Sequence, residues 1–249
     1  MMKSAQIQNI IRNFAPEQYK YDMKIGIIVA MEKEFAQLQS IVENLRHECH
    51  NGICFAEGSI GGNDLIIQQC GIGKVNSTIG TVEMINNYHP DLIISTGVAG
   101  GADVSLNVTE VVVSTECRYH DAYCGSECTP GQILGQPAAF VSPKELTAKA
   151  VSLNCGTPVH PGLIVSGEWF VDTKEKMQSI LETFPEAKAV DMESCSIAQT
   201  CHKYGVPFIS FRIISDIPLK DNKAQMYFDF WKTMADGSFN VTRAFLESL

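Results

Sequence analysis

KIGIIVA (24–30), followed directly by MEKEFAQLQSIVENL (31–45), decides the fold class. The first run is continuous, apolar and rich in β-branched residues, which reads as a strand covered on both faces. The second carries Phe35, Leu38, Ile41, Val42 and Leu45 at helical spacing, so a helix is expected over 31–45. The same alternation continues along the chain. ICFAEGSI (53–60) and DLIIQQC (64–70) are split by GGN, a hairpin signal. GIGKVNSTIGTVEMINNYH (71–89) reads as a helix ended by Pro90. DLIIST (91–96) is a buried strand that runs into the turn GVAGG (97–101).

EVVVSTECRYHDAY (110–123) is β-rich, and 124–140 reads as loop. Ser142-Pro143 with Glu145 opens a helix, the proline at its first position. HPGLIVSGEWFV (160–171) is a strand ending in a loop, DTKEKMQSILETF (172–184) a helix and AKAVD (187–191) a short strand. MESCSIAQTCHKYG (192–205) is a helix stopped by Gly205, and VPFISFRIISD (206–216) is the last long strand. Residues 222–249 read as one amphipathic helix. Strands alternating with helices imply a single α/β domain, residues 23–249, built as a layer sandwich on a mostly parallel central sheet.

Composition bounds the function. The chain has 249 residues, 45% hydrophobic and 19% charged, enough apolar material for one large core and too little charge for a disordered chain. The formal net charge is −9 with no Lys/Arg block, which argues against nucleic acid or an anionic membrane as partner. No apolar run approaches the roughly 20 residues that span a bilayer. Within residues 1–22, IQNIIRNF is broken by Gln, Asn and Arg, so this stretch reads as a short, poorly ordered polar extension or a misassigned start, with no secretory h-region. Nine scattered cysteines read as reduced thiols of a cytoplasmic protein. His120, Cys124 and Cys128 form the one close metal-type cluster, but no fourth ligand stands at a matching spacing, so no metal is expected.

In folds of this class, ligands bind where strands end. Polar or glycine-rich segments fall at several such ends: Ala30 to Glu34, GVAGG, Phe170-Val171, Asp191-Met192-Glu193, and Arg212 to Asp216. Each has a bland reading. Glu34 and Glu193 open helices and could complement the dipole, worth about 0.3–1 kcal/mol, a role that Glu32 would fill equally well. Asp216 could be an N-cap, and GVAGG a plain strand-to-helix turn. Together, three acids and an arginine at strand ends favour general acid–base chemistry. Competing signatures are missing: no GxSxG elbow, no HExxH, no GxGxxG after the first strand, and GIGK (71–74) lacks the spacing of a phosphate loop.

MKIGIIVAMEKEF, CGIGKVNSTIGT, PDLIISTGVAGGAD, RYHDA, GLIVSGEWFV, VDMES and FRIISD, in this order from Met23 to the C-terminal helix, resemble the 5′-methylthioadenosine/S-adenosylhomocysteine nucleosidases of the nucleoside phosphorylase superfamily. The resemblance implies a three-layer α/β/α sandwich with a mixed sheet. Glu34 would activate water, Asp216 would give a proton to the purine and Glu193 would bind the ribose hydroxyls over Met192. Arg212 would orient the carboxylates. Phe170 would stack on the base, backbone groups of Val171 would read its edge, and Ala99 and Gly100 would lie against the ligand. Met31, Ile72 and Phe228 would line the pocket for the base and the 5′-thio group. The implied assembly is a homodimer whose partner closes the 5′ pocket, and the reaction would need no cofactor.

The sequence departs from the family at Val98, where many relatives have Ser, at Asp191 in place of a frequent Glu, at Trp169 and throughout 121–139. These departures bear on the 5′-substituent. The expected substrates are 5′-methylthioadenosine, S-adenosylhomocysteine and 5′-deoxyadenosine. Three alternatives stay open: a purine nucleoside phosphorylase, a hydrolase of futalosine-type nucleosides, and a non-catalytic nucleoside-binding protein. Phosphate would want Arg and hydroxyl donors, whereas Ser95-Thr96 stand where hexameric phosphorylases carry an Arg.

Overall fold

The first strand, β1 (Lys24–Val29), has side chains that go alternately to two different cores: Ile25, Ile27 and Val29 to one and Ile28 to the other. That alternation is the pleat of a strand with both faces covered. The computed structural model describes residues 23–221, 223–233 and 239–249. The expected N-terminal extension, residues 1–22, lies outside them.

Helix α1 (Glu32–Gln39) follows β1 and is shorter than the periodicity suggested. The chain after it turns into β2 (Glu43–His50), which pairs antiparallel with β3 (Ile53–Ile60), itself paired with β4 (Asn63–Gln69). Cross-strand pairing therefore overrides the helical spacing of residues 43–45. The register sets Cys49 directly opposite Cys54, and the two form a disulfide, so the expectation of nine reduced thiols is corrected to seven free cysteines. Helix α2 (Lys74–Tyr88) ends at His89, which takes a left-handed conformation before Pro90.

Strand β5 (Leu92–Gly101) runs straight through GVAGG, where a turn was expected. It is held there by β10 (Phe208–Asp216) on one side and β9 (Ala187–Asp191) on the other. β6 (Val111–Tyr119) pairs with β10, with β8 (Val159–Ser166) and with the two-residue β7 (Phe140–Val141), and β8 pairs with β9. β5, β10, β6, β8 and β9 thus close on one another, while β1, β4, β3 and β2 continue outward from β5. β1–β4, β1–β5, β5–β10, β6–β8 and β8–β9 are the parallel pairs.

The remaining helices are α3 (Lys144–Val151), α4 (Lys174–Thr183), α5 (Ser194–Tyr204), α6 (Lys223–Thr233) and α7 (Asn240–Ser248). Pro143 caps α3 and is not its first residue. The C-terminal stretch expected as one helix contains α6 and α7. Leu38 of α1, Leu146 of α3, Phe230 of α6 and Phe245 of α7 share one core with Ile25 and Ile27. Met84 of α2 and Ile197 of α5 share the other with Ile28. The result is the expected three-layer α/β/α sandwich on a mixed sheet, each large apolar side chain so buried contributing about 1.5–3 kcal/mol.

Candidate active site

One cavity opens where β1, β5, β8, β9 and β10 end, and Met31, Glu34, Val98, Phe170, Glu193 and Asp216 face it from those five ends. Glu34 is the third residue of α1 and is buried. One oxygen accepts the backbone N–H groups of Ala30 (3.1 Å) and Met31 (3.0 Å), and the other accepts Val98 N–H at 3.0 Å. The bond to Met31 is half of a capping box, so the bland reading of Glu34 is partly true. The bond to Val98 goes further, because it ties the carboxylate to the middle of β5. Burial pushes the Glu34 carboxyl above its ordinary value, opposed by these N–H groups and by Arg212.

Gly97 explains how two charged groups approach β5 so closely. A Cβ there would lie 2.6 Å from Glu34 Oε1 and 2.8 Å from an Arg212 terminal nitrogen. Only glycine leaves room for both.

Arg212, in the middle of β10, is buried and held by side chains from three other segments. Its Nε faces Asp191 and donates to Ser194 Oγ at 3.0 Å, and a terminal nitrogen donates to Ser95 Oγ at 2.7 Å. Asp191 also accepts from the hydroxyls of Ser166 and Ser194. One guanidinium therefore serves three buried acids, Asp191, Glu193 and Glu34, and gives its closest contact to Asp191.

Glu193 is left with the weaker share. It is the N-cap of α5, and its Oε1 accepts Gly73 N–H at 2.8 Å. Burial first, and then the charge of Asp191, raise its carboxyl to about 7. Gly73 has φ of +94°, and a Cβ there would strike Glu168, so the GIGK segment is a glycine turn that offers one N–H to Glu193.

Asp216 ends β10, where the register slips between Ile214 and Asp216. That bulge breaks the strand's alternation, so consecutive residues Ser215 and Asp216 both line the cavity. Ser215 Oγ donates to Asp216 Oδ1 at 2.6 Å. Burial raises the Asp216 carboxyl, while Ser215 and Lys223, whose Nζ lies 3.8 Å away, pull it down. Lys223 is thus the cation that opposes burial at Asp216.

Ile72, Ala99, Gly100, Val171, Met192 and Arg212 complete the predicted wall. Phe228 does not join it and is 64% exposed. Tyr227 takes the place, because one helical step of about 100° turns its neighbour away. Trp169, Val190, Asp191 and Ser215 also line the cavity. The Ser-Asp pair at the end of an apolar strand could have been read as a joint unit, but the bulge that exposes both has no local sequence mark. His120 packs against Trp169 at 5.5 Å between ring centroids.

The geometry offers two buried carboxyls biased toward holding their protons, Glu34 and Asp216, a third, Glu193, that accepts a backbone N–H, and an aromatic wall. The family model described as the phosphorylase superfamily matches residues 24–247. A 5′-methylthioadenosine/S-adenosylhomocysteine nucleosidase from Colwellia psychrerythraea, solved with adenine, is 35% identical over 93% of this chain and 98% of its own, with a TM-score of 0.85. The corresponding enzyme from Neisseria meningitidis, solved with methylthio-immucillin-A, is 34% identical over 91% and 100%, with a TM-score of 0.84. A futalosine hydrolase from Helicobacter pylori is 28% identical over 91% and 98%, with a TM-score of 0.82. On this similarity, and on the family match across 24–247, the chain belongs to the phosphorylase superfamily and within it to the 5′-methylthioadenosine/S-adenosylhomocysteine nucleosidases.

Proposed function

We propose that this enzyme hydrolyses the N-glycosidic bond of 5′-methylthioadenosine, S-adenosylhomocysteine and 5′-deoxyadenosine, releasing adenine and the 5′-substituted ribose. Glu34 takes a proton from the attacking water. Asp216 gives one to the purine ring, so that the base leaves neutral. Glu193 accepts hydrogen bonds from the ribose hydroxyls, with Met192 beneath the sugar. Phe170 stacks on the base and the Val171 backbone reads its edge. Cleavage of a ribosyl bond passes through an oxocarbenium-like state, so a carboxylate on one side and an acid on the leaving group suffice.

The observation that carries water over phosphate is the commitment of Arg212. Its guanidinium is occupied by Asp191, Ser194 and Ser95, and Val98 presents an apolar side chain beside Glu34. A phosphate would want several charged and hydroxyl donors turned toward it, whereas Nε and one terminal nitrogen of Arg212 are turned to Asp191, Ser194 and Ser95.

The working unit is a homodimer. Ile72, Trp169 and Phe170 line the cavity yet are about half exposed, and Val75 and Ile79 on α2 are exposed as well. A second copy would cover these apolar groups and close the 5′ end. The compartment is the cytoplasm, in keeping with net charge −9 and seven free cysteines; no helix among the described residues is long and apolar enough to cross a membrane. Base release from 5′-methylthioadenosine, S-adenosylhomocysteine, 5′-deoxyadenosine, futalosine and adenosine, with and without phosphate, tests the reading. Preference for futalosine would move the enzyme toward its Helicobacter relative, and no release from any of the five would sink the proposal.

A further inference from the structure

Lys223 is the first residue of α6, the end of a helix where a cation is least welcome. Its side chain is only 14% exposed, so most of it is covered by neighbouring groups. It lies 3.8 Å from Asp216 Oδ2, 4.6 Å from the centre of the Phe170 ring and 5.9 Å from that of Tyr227. Two of these three contacts are to the groups that the proposed function assigns to the purine. Ser215 from β10 is the other polar group on Asp216. Asp172, in the segment after β8, is the other carboxylate that feels Lys223.

We propose that Lys223 is a placeholder for the purine: its ammonium sits against Asp216 and Phe170, and an incoming base that bonds Asp216 and stacks on Phe170 displaces it. The inference rests on the reading of Asp216 as the acid. Its consequence is a proton delivered at the right moment. The ammonium works against burial, so the Asp216 carboxyl holds its proton less firmly with Lys223 beside it than without it. Once the base replaces the ammonium, the desolvated carboxyl takes up a proton from solvent, and the purine nitrogen accepts that proton as the glycosidic bond breaks. Lys223 is thus a positioning residue, and a cation–π contact with a ring is an exchangeable hold, worth about 0.5–2 kcal/mol.

The test compares pH profiles of Lys223→Met, Lys223→Gln and Lys223→Arg with the wild type on 5′-methylthioadenosine. Activity needs a protonated Asp216, so it falls as pH rises through the Asp216 value. The high-pH limb of kcat/KM reports the empty enzyme, and that of kcat the complex. With Met or Gln, the kcat/KM limb should move up by about one pH unit, the effect of removing one nearby charge. The kcat limb should stay, and Arg should restore the wild-type profile. Above the limb, 9-methyladenine, whose N7 can only accept, should bind the Met and Gln variants about tenfold more tightly. A kcat/KM limb that does not move, or one that moves together with kcat, overturns the placeholder. Asp216→Asn is the control: if it retains wild-type kcat, the reading of the acid has failed, whereas an impaired Asp216→Asn beside unmoved Lys223 variants faults Lys223 alone.

Discussion

Replacing Asp216 by Asn isolates proton transfer from everything else the side chain does. The carboxyl is buried at the end of β10, with Ser215 Oγ at 2.6 Å on one oxygen and Lys223 on the other. Asn has the same shape, can still accept from Ser215 and can turn its amide toward a purine nitrogen, but it has no proton to give. General acid catalysis is worth about 10²–10⁴-fold. At about 1.36 kcal/mol per decade, kcat should fall by about 2.7–5.4 kcal/mol in barrier, with KM nearly unchanged. Stability should go the other way. Burial raises the folded value of this carboxyl. Its contribution to stability is therefore full below the unfolded value and is lost as pH rises through the raised one, leaving a desolvated charge at neutral pH. The neutral amide removes that cost, so Tm near pH 8 should hold or rise. Steady-state kinetics and a thermal melt on one sample test both halves. A substrate with p-nitrophenol as leaving group, which needs no protonation, should be largely spared. A folded Asp216→Asn protein with near-normal kcat would refute the reasoning, since an N-cap exchanges Asp for Asn at little cost.

Three further predictions follow from neighbouring groups. Glu193→Gln removes a carboxyl raised to about 7, whose contribution to stability is present below its ordinary 4.5 and lost as pH rises through 7. The variant should melt higher than wild type at pH 8, with the gain gone by about pH 4.5, and its loss of kcat/KM should be smaller on a 2′-deoxy substrate than on the normal one; equal losses argue against the ribose contact. Gly97→Ala puts a methyl 2.6 Å from Glu34 Oε1 and 2.8 Å from Arg212, so kcat should fall at least about tenfold for a misplaced base while the fold survives, and unchanged kcat would show that the approach is not needed. Val75→Asp on the exposed face of α2 should turn a sedimenting species of twice 27.4 kDa into one of 27.4 kDa with impaired turnover; a fully active monomer would remove the shared pocket.

How far the sequence reached can be followed residue by residue. β1 and β10 were legible because their long, largely apolar runs are bounded by clear breaks, and β9 because a short stretch with apolar residues stands between two helical patterns. The ends of those strands placed Glu34, Glu193 and Asp216 at one rim before any geometry was known. Residues 43–45 misled, since Val42 and Leu45 fit a helix and only the pairing with β3 makes the segment a strand. GVAGG looked like a turn because glycine marks turns; here it keeps β5 extended while clearing space for Glu34 and Arg212. Tyr227 rather than Phe228 at the wall depends on the phase of α6, which two adjacent aromatics do not reveal. The commitment of Arg212 to three serine- and aspartate-borne groups, and the reach of Lys223 to Asp216, arise from contacts spanning distant parts of the chain. No local pattern encodes them.

The central claim is hydrolysis by Glu34 and Asp216, with water and not phosphate as the nucleophile. The most direct measurement is product analysis of 5′-methylthioadenosine turnover in buffer stripped of phosphate. The account predicts adenine and free 5-methylthioribose at a rate that added phosphate leaves unchanged. Turnover that requires phosphate and yields the sugar 1-phosphate would contradict it.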